Sequence, residues 1–188
     1  FAGLCQRRPA SLARRLPARS NRRRMMRFRE SVGHAMSLIA KILSPEHVLL
    51  DLDVSSKKRV FEQVGILFEN SCGIARSDVF NCLFAREKLG STGLGQGVAI
   101  PHGRAKGLKE ASGAYIRLKA PIPYDSPDGK PVQSLFVLLV PDQANDLHLQ
   151  VLSELAHRFS NRQLRETLLT TTDPAEAHRL LAEWPAHA

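Results

Sequence analysis

Residues 86–104 read R-E-K-L-G-S-T-G-L-G-Q-G-V-A-I-P-H-G-R. A predicted helix ends at Leu89, and a glycine-rich segment containing Ser91 and Thr92 then leads through a short apolar run to His102. Glycines allow left-handed turns and a close approach of backbone to a ligand. Hydroxyl groups, backbone amides and arginines suit an oxyanion such as phosphate, and a histidine beside them is a candidate nucleophile or acid–base group.

The spacing of this stretch excludes three familiar glycine motifs. A dinucleotide-binding motif beginning at Gly93 needs a glycine where Val98 stands, and a P-loop beginning at Gly90 needs a lysine where Gln96 stands. A nucleophile elbow needs one residue between glycine and serine, but Ser91 follows Gly90 directly. Residue types alone therefore leave two interpretations open, an anion-binding loop of another kind and a mobile surface loop with a solvated histidine.

The segment G-S-T-G-L-G-Q-G-V-A-I-P-H-G-R resembles the signature of the mannitol/fructose-type IIA domains of the bacterial phosphoenolpyruvate phosphotransferase system, most of all their nitrogen-regulatory branch (EIIA-Ntr). The resemblance extends over about residues 36–184, because S-K-K-R-V-F-E-Q (56–63), F-V-L-L-V-P (136–141) and H-L (148–149) follow in the expected order. It implies a phosphotransferase component that accepts a phosphoryl group on His102 from an HPr-like carrier (NPr). Enzyme I would load that carrier from phosphoenolpyruvate.

The predicted site has two groups of residues. Its catalytic group is His102 with Arg86 and His148, and its phosphate-binding group is Ser91, Thr92, Gly103 and Arg104. The resemblance carries functional roles to Arg86, Thr92, His102 and His148; from residue type alone, the alternative for His148 is a surface histidine in the first turn of a helix. Histidine suits a reversible relay because its unperturbed pKa leaves a neutral ring nitrogen at pH 7. No histidine spacing matches a metal motif, so we expect neither a metal nor a bound cofactor.

Two functional classes follow from the resemblance. The first is a phosphohistidine carrier that regulates target proteins according to its phosphorylation state. The alternative is a sugar-transport IIA subunit that passes phosphate to a IIB component. Two further interpretations are a binding module whose histidine is no longer phosphorylated and a nucleic-acid binder acting through the N-terminal arm. No residue identifies the regulated target.

Charge is distributed unevenly along the 188 residues. The formal net charge is +9, and residues 1–35 contribute all of it through ten arginines and one acid, Glu30. A nucleic-acid-binding domain needs a basic face of its own, so we expect no nucleic-acid partner for residues 36–188.

The arm, residues 1–35, is predicted to be disordered because it is rich in arginine and has almost no apolar periodicity. Three interpretations compete: an organelle transit segment, a basic arm for nucleic acid or membrane, and sequence upstream of a natural start at Met36. We favour the third, which leaves residues 36–188 as one IIA domain of type 2.

Cysteine usage and hydropathy bear on the compartment. Cys5, Cys72 and Cys82 are odd in number and lack CxxC spacing, which favours reduced thiols and a cytoplasmic location. We expect Cys72 and Cys82 to be buried or half-buried. The chain has no apolar run of about 18 residues and no secretory signal, so we predict no membrane insertion.

Periodicity predicts an α/β fold with a single domain, and the resemblance implies a mixed β-sheet flanked by helices on both faces. We predict strands at 48–54, 114–118 and 134–140, a turn at 44–46, and a loop through Pro121, Pro123 and Pro127. We predict a helical turn at 38–43 and a helix that is capped by Ser55 or Ser56 and ends at about Asn70. A second helix is predicted from Ser77 or Asp78, with Gly90 as its stop. Three last helices are predicted to begin at Asp146, Ser160 and Asp173. Four further histidines, His47, His157, His178 and His187, are predicted to be solvated.

Overall fold

A six-stranded mixed sheet organises the residues that the computed structural model describes, 37–143 and 147–184. Its strands are β1 (Leu43–Leu52), β2 (Gly93–Gly95), β3 (Val98–Ala99), β4 (His102–Ala105), β5 (Ser112–Ile122) and β6 (Val132–Pro141). Their order is β1-β5-β6-β3-β2, and β4 also pairs with β6. Strands β5 and β6 are antiparallel, whereas β6 runs parallel to both β3 and β4. The predicted mixed sheet is confirmed.

Strand β6 is the most buried strand of this sheet. Its residues 134–140 all have side chains that are buried, as expected of an unbroken apolar run that packs on both faces. Alternate side chains enter two cores, with Leu135, Val137 and Leu139 on one face. Phe136, Leu138 and Val140 enter the other.

Helices cover both faces of the sheet, as predicted. One core contains side chains of α2 (Lys57–Cys72) and α3 (Arg76–Lys88). The other contains side chains of α1 (Leu38–Ile42), α4 (Leu147–Ser160), α5 (Arg162–Thr170) and α6 (Pro174–Glu183). Within 37–143 and 147–184, none of the helices combines the length and apolar character needed to cross a bilayer.

Several predicted helix ends are confirmed. The Ser56 hydroxyl accepts a hydrogen bond from Arg59 N, so Ser56 caps α2. Asp173 caps α6 by accepting from Ala175 N at 2.9 Å, with Pro174 in the first helical position. Gly90 follows Leu89, the C-cap residue of α3, and has a φ of 150°, a conformation that side chains disfavour.

Other predicted ends are wrong by one or two residues. Helix α3 begins at Arg76, so Ser77 and Asp78 lie inside its first turn and are not caps. Helix α4 continues through Ser160, and Asn161 caps α5 by accepting from Leu164 N at 3.0 Å. Boundaries shift in this way because neighbouring polar residues compete for the same cap position. The predicted start at Asp146 lies outside the described residues.

The predicted turn at 44–46 is wrong, and the predicted loop is confirmed in part. Residues 44–46 lie in β1, where the pairing with β5 is irregular between Leu43 and Val48. Pro121 lies near the end of β5, where the pairing with β6 is irregular between Arg117 and Ile122, whereas Pro123 and Pro127 lie in the loop that follows β5. Pro45 and Pro121 thus occur where a ladder donor is not required.

Two histidines and one cysteine differ from the predicted exposure. His47 is buried and its Nδ1 lies 3.0 Å from Gly113 O, while His178 Nε2 lies 2.9 Å from Leu43 O. Each ring forms a hydrogen bond with a backbone carbonyl oxygen that is distant in sequence, so periodicity could not predict these contacts. Cys72 is exposed, whereas Cys82 is half-buried as predicted. His157 is exposed, and His187 lies outside the described residues.

An interrupted strand at the edge of β6 places the candidate site. Strands β3 and β4 follow each other along β6, with Ala99 paired to Leu135 and His102 paired to Leu138. Ile100 and Pro101 occupy the gap between them. The gap therefore sets His102 at the start of a short strand and frees the Ile100 carbonyl from the ladder.

Candidate functional site

His102 is half-buried at the first position of β4. Because side chains alternate along a strand, His102 and Arg104 share one face while Gly103 faces the other way. Gly103 lies against α3, and a Cβ added to it would stand 2.7 Å from Cys82 Sγ. Glycine at this position therefore lets the strand that carries His102 approach the helix that carries Arg86.

Two hydrogen bonds define the protonation of the His102 ring. Its Nδ1 lies 2.9 Å from the Ile100 carbonyl oxygen, which can only accept, so Nδ1 carries a proton and donates. Arg86 Nε donates to His102 Nε2 at 3.0 Å, and a guanidinium can only donate, so Nε2 carries no proton and accepts with its lone pair. The neutral ring thus presents Nε2 as its nucleophilic nitrogen.

Burial lowers the pKa of His102 below 6.5 and is the largest influence on it. The hydrogen bond to the Ile100 carbonyl raises the pKa, electrostatic interactions with Arg86 and His148 lower it further, and the interaction with Glu87 raises it. The net effect is a lower pKa, so the ring stays neutral at pH 7. A neutral ring is the form that can attack phosphorus.

A cavity of about 570 Å³ lies beside the ring and collects most of the predicted site. Arg86, His102, Gly103, Arg104 and His148 all contribute to its lining. Arginine side chains and a histidine in a half-open cavity offer charge and hydrogen bonds to a bound oxyanion. The structure therefore brings five of the seven predicted site residues together.

Ser91 and Thr92 line a second cavity, of about 360 Å³, which also contains Arg86 and His102. The Ser91 hydroxyl donates to Tyr124 O at 2.8 Å, and the Thr92 hydroxyl donates to Glu87 Oε2 at 2.6 Å. Both hydroxyl protons are thus engaged by protein acceptors and organise the loop. Contact of either residue with phosphate stays a prediction.

The two arginines differ in how they are held. Arg86 Nη1 donates to Gly90 O at 2.9 Å while its Nε contacts the ring, so this guanidinium is fixed at two points. Arg104 is exposed and donates to Asp142 O at 2.9 Å. Arg86 is therefore preorganised at the acceptor nitrogen, and Arg104 borders the cavity from outside.

Sequence reasoning missed Glu87, Lys57 and Tyr124. The Glu87 carboxylate pairs with Lys57 Nζ at 3.1 Å and accepts hydrogen bonds from Thr92. Burial, the largest influence, raises the pKa of Tyr124, whose hydroxyl lies 3.1 Å from Thr92 Oγ1. The only local signal is the adjacency of Glu87 to Arg86, since Lys57 and Tyr124 are distant in sequence.

Cys82 also lines the larger cavity but does not act as a nucleophile there. Burial raises the pKa of its thiol to about 11, so the thiol stays protonated at neutral pH. Among the described residues, 37–143 and 147–184, no cluster of three His, Cys, Asp or Glu side chains could hold a metal ion.

A family model described as "Phosphoenolpyruvate-dependent sugar phosphotransferase system, EIIA 2" matches residues 41–184. The chain belongs to this family of type 2 IIA components, which carry phosphoryl groups on histidine as parts of a phosphotransferase system. The predicted family and the predicted phosphotransferase activity are confirmed.

Several similar proteins belong to the nitrogen-regulatory branch. A nitrogen regulatory protein of Pseudomonas aeruginosa is 37% identical over 79% of this chain and 97% of its own length. One of Bradyrhizobium diazoefficiens is 36% identical over 80% of this chain and 98% of its own length. The crystal structure of nitrogen regulatory protein IIA-Ntr from Neisseria meningitidis superimposes with a TM-score of 0.74 at 55% identity, covering 77% of this chain and 99% of that one. The predicted branch is thereby confirmed.

The lowered pKa of His102 predicts the pH range in which its ring titrates. In the folded chain the ring should protonate with a midpoint below 6.5, because a charged ring would be buried beside Arg86. Since the folded pKa is depressed, the stabilising contribution of the neutral ring is present above the unfolded value and is lost as pH falls through the folded value. NMR titration of the ring between about pH 8 and pH 5 measures the midpoint.

Arg86→Gln serves as the control for that titration. It removes one lowering charge and leaves the burial, so the midpoint should rise part of the way towards 6.5. A midpoint at or above 6.5 in the unsubstituted protein would contradict the predicted direction.

Proposed function

We propose that His102 is the phosphoryl acceptor of this chain and that it reacts through Nε2. The observation that carries the proposal is the pair of hydrogen bonds that protonates Nδ1 and leaves the Nε2 lone pair facing Arg86. The donor is an HPr-like carrier (NPr) that presents a phosphohistidine. Residues 36–188 form the functional domain, and the reaction takes place in the cytoplasm, where phosphoenolpyruvate is produced.

The transfer exchanges one P–N bond for another. The P–N bond to His102 Nε2 forms as the P–N bond to the carrier's histidine breaks and leaves its electron pair on that nitrogen, while the proton stays on Nδ1 and remains hydrogen-bonded to Ile100 O. The transition state is loose and spreads charge over the equatorial oxygens of the phosphoryl group, so positioning and charge stabilisation dominate. Because Nε2 has one lone pair, Arg86 must leave it during the reaction and can then donate to phosphoryl oxygens.

Arg104 and His148 complete the charge environment of the proposed phosphohistidine. Both line the cavity beside the ring, and the charge of His148 is felt at His102 as a lowered pKa. A cationic or hydrogen-bonding group at that distance stabilises the added phosphate, which carries about 1.5 to 2 negative charges. We assign His148 a supporting role, with His102 as the covalent acceptor.

The carrier docks on an apolar rim formed by Leu89, Leu94 and Leu149. These leucines are 86%, 44% and 58% exposed, and they lie on or beside the elements that carry the site. Large exposed apolar side chains around a polar centre are typical of a protein–protein contact. The rim can therefore exclude water from the transferring group.

The output of the carrier is regulation of target proteins according to phosphorylation state. The nitrogen regulatory proteins are 36–37% identical and are matched over 97–98% of their own length, whereas a fructose-specific EIIABC component of Bacillus subtilis is 26% identical and is matched over 21% of its length. This difference favours regulation over sugar transport. Phosphate on His102 adds negative charge within a domain, residues 36–188, whose formal net charge is zero. A target that docks over the unmodified loop would then bury an unpaired anion, which is unfavourable.

His102→Ala should abolish phosphorylation by a purified, phosphorylated HPr-like carrier. The variant lacks the acceptor nitrogen. In the unsubstituted full-length protein, the phosphate should be acid-labile and stable in alkali, as a P–N bond is. Mass spectrometry after incubation with phosphoenolpyruvate, Enzyme I and the carrier measures the adduct. His157→Gln, at an exposed histidine outside the cavity, is the matched control and should label normally. Full labelling of His102→Ala would show that another residue accepts the phosphate.

Leu89→Ser should raise the KM for the phosphorylated carrier about 10- to 150-fold and leave kcat nearly unchanged. Loss of one buried leucine contact costs about 1.5 to 3 kcal/mol of binding, and a contact made equally in ground and transition states affects KM alone. Initial rates at varied carrier concentration give both constants. Leu169→Ser, at a leucine of α5 that is 40% exposed, is the control and should leave both unchanged. A lower kcat with an unchanged KM would place Leu89 outside the docking surface.

The regulated target should bind the unmodified protein more tightly than the phosphorylated one. The phosphate oxygens would meet a surface that evolved to cover a neutral ring, so affinity should fall at least tenfold, about 1.4 kcal/mol. Affinity capture with unmodified, phosphorylated and His102→Glu protein, followed by titration of each captured protein, measures the difference. The same partners at the same affinity in all three samples would remove the switch and leave a relay.

A further inference from the structure

Glu87 carries a buried carboxylate that the proposed transfer step does not use. Its side chain is 8% exposed, and it stands next to Arg86 in the last turn of α3. Lys57 Nζ lies 3.1 Å from its Oε1, and its Oε2 accepts from Thr92 N at 3.1 Å and from the Thr92 hydroxyl at 2.6 Å. A buried carboxylate with every contact satisfied holds its partners in place.

The contacts of Glu87 lead to the far side of the His102 ring. Thr92, fixed by Glu87 at both its amide and its hydroxyl, accepts a hydrogen bond from Ile100 N at 3.0 Å through its own carbonyl. Ile100 then offers its carbonyl to His102 Nδ1 at 2.9 Å. Three consecutive contacts therefore join the carboxylate to the ring nitrogen that carries the proton.

We propose that Glu87 is a positioning residue for phosphoryl transfer, which fixes Thr92 and, through Thr92, the Ile100 carbonyl that selects the reactive tautomer of His102. This inference rests on the proposed function of His102. Two successive residues of α3 thus control the two ring nitrogens, Arg86 directly at Nε2 and Glu87 indirectly at Nδ1.

The tautomer decides whether the ring can react at Nε2. If the Ile100 carbonyl moves away, the proton on Nδ1 loses its acceptor, and the tautomer with the proton on Nε2 becomes populated. That tautomer has no lone pair at Nε2 and would place an N–H against the N–H of Arg86. Loss of Glu87 should therefore lower the reactive fraction of the ring without changing how the carrier docks.

The test compares Glu87→Ala with Glu87→Gln in the full chain. Glu87→Ala removes the acceptor for Thr92, and kcat for transfer from the phosphorylated HPr-like carrier should fall about 10- to 100-fold, the range found for groups that orient metal-ligating histidines. The KM for the carrier should stay unchanged. Glu87→Gln keeps an oxygen for Thr92 and should recover most of the loss.

The tautomer itself is measured by NMR of protein labelled with ¹⁵N in its histidine rings. The unsubstituted protein should show His102 protonated at Nδ1 alone, Glu87→Ala should show a mixture, and Glu87→Gln should return towards the single form. Glu69→Ala is the matched control, because Glu69 also accepts a backbone N–H, from Arg76 at 3.3 Å, away from both cavities. Glu87→Met, which has similar length without an oxygen, replaces Glu87→Ala if the truncated protein does not fold, and the same result is expected.

A folded Glu87→Ala or Glu87→Met protein with the unsubstituted tautomer and kcat would overturn the inference. The ring measurement needs no carrier, so it tests the role of Glu87 even if His102 proves not to be phosphorylated. Conversely, a phosphorylated His102 with an unaltered ring in these variants would leave the proposed function intact and remove only the role of Glu87.

Discussion

Every backbone polar group of the buried strand β6 needs a hydrogen-bond partner, because water cannot reach it. Strand β5 satisfies one edge of β6, and the broken strand β3–β4 satisfies the other. This requirement brings residues 98–105, which follow the glycines, into the sheet beside β6, although the composition of the preceding segment is typical of a surface loop. His102 is placed by the same pairing, as the residue opposite Leu138.

The site combines hydrogen bonds that hold Arg86 and His102 in place with a neutral imidazole as the nucleophile. Arg86 and Glu87, adjacent on α3, have opposite charges and opposite effects on the pKa of His102, and the effect of Arg86 is the larger of the two. Burial then determines the direction of the shift. An arginine that contacts the nucleophile before reaction stands beside the place where phosphoryl charge develops, so once it releases Nε2 it can donate to the phosphoryl oxygens.

Much of the fold could be predicted from local patterns. The run at 134–140 is too apolar for a half-exposed strand, and the Ser56 cap with its apolar helix face marks α2 clearly. The signature at 90–104 also identified the family and the place of His102. Strands β2, β3 and β4 were not predictable, because segments of two to four residues carry no periodicity and form only by pairing with β6 or with each other.

The other differences between the sequence-based predictions and the structure arise from tertiary contacts. His47 is buried because a carbonyl of β5, Gly113 O, lies beside its ring, and no neighbour in sequence reveals that. Glu87 meets Lys57 across 30 positions of chain, a pairing that only the packing of α2 against α3 creates. Predicted roles for Ser91 and Thr92 relied on their hydroxyl groups, yet partners elsewhere in the fold, Tyr124 and Glu87, occupy those protons.

The double attachment of Arg86 has a mechanical consequence. One guanidinium holds the acceptor nitrogen of His102 and the carbonyl of Gly90, where α3 ends in a turn that has open space around it. The Arg86 guanidinium therefore connects the His102 ring to the turn at the end of α3. Leu89, the most exposed large apolar side chain among the described residues, lies on that turn. A new bond at His102 Nε2 that displaces Arg86 would therefore also affect the turn that carries Leu89.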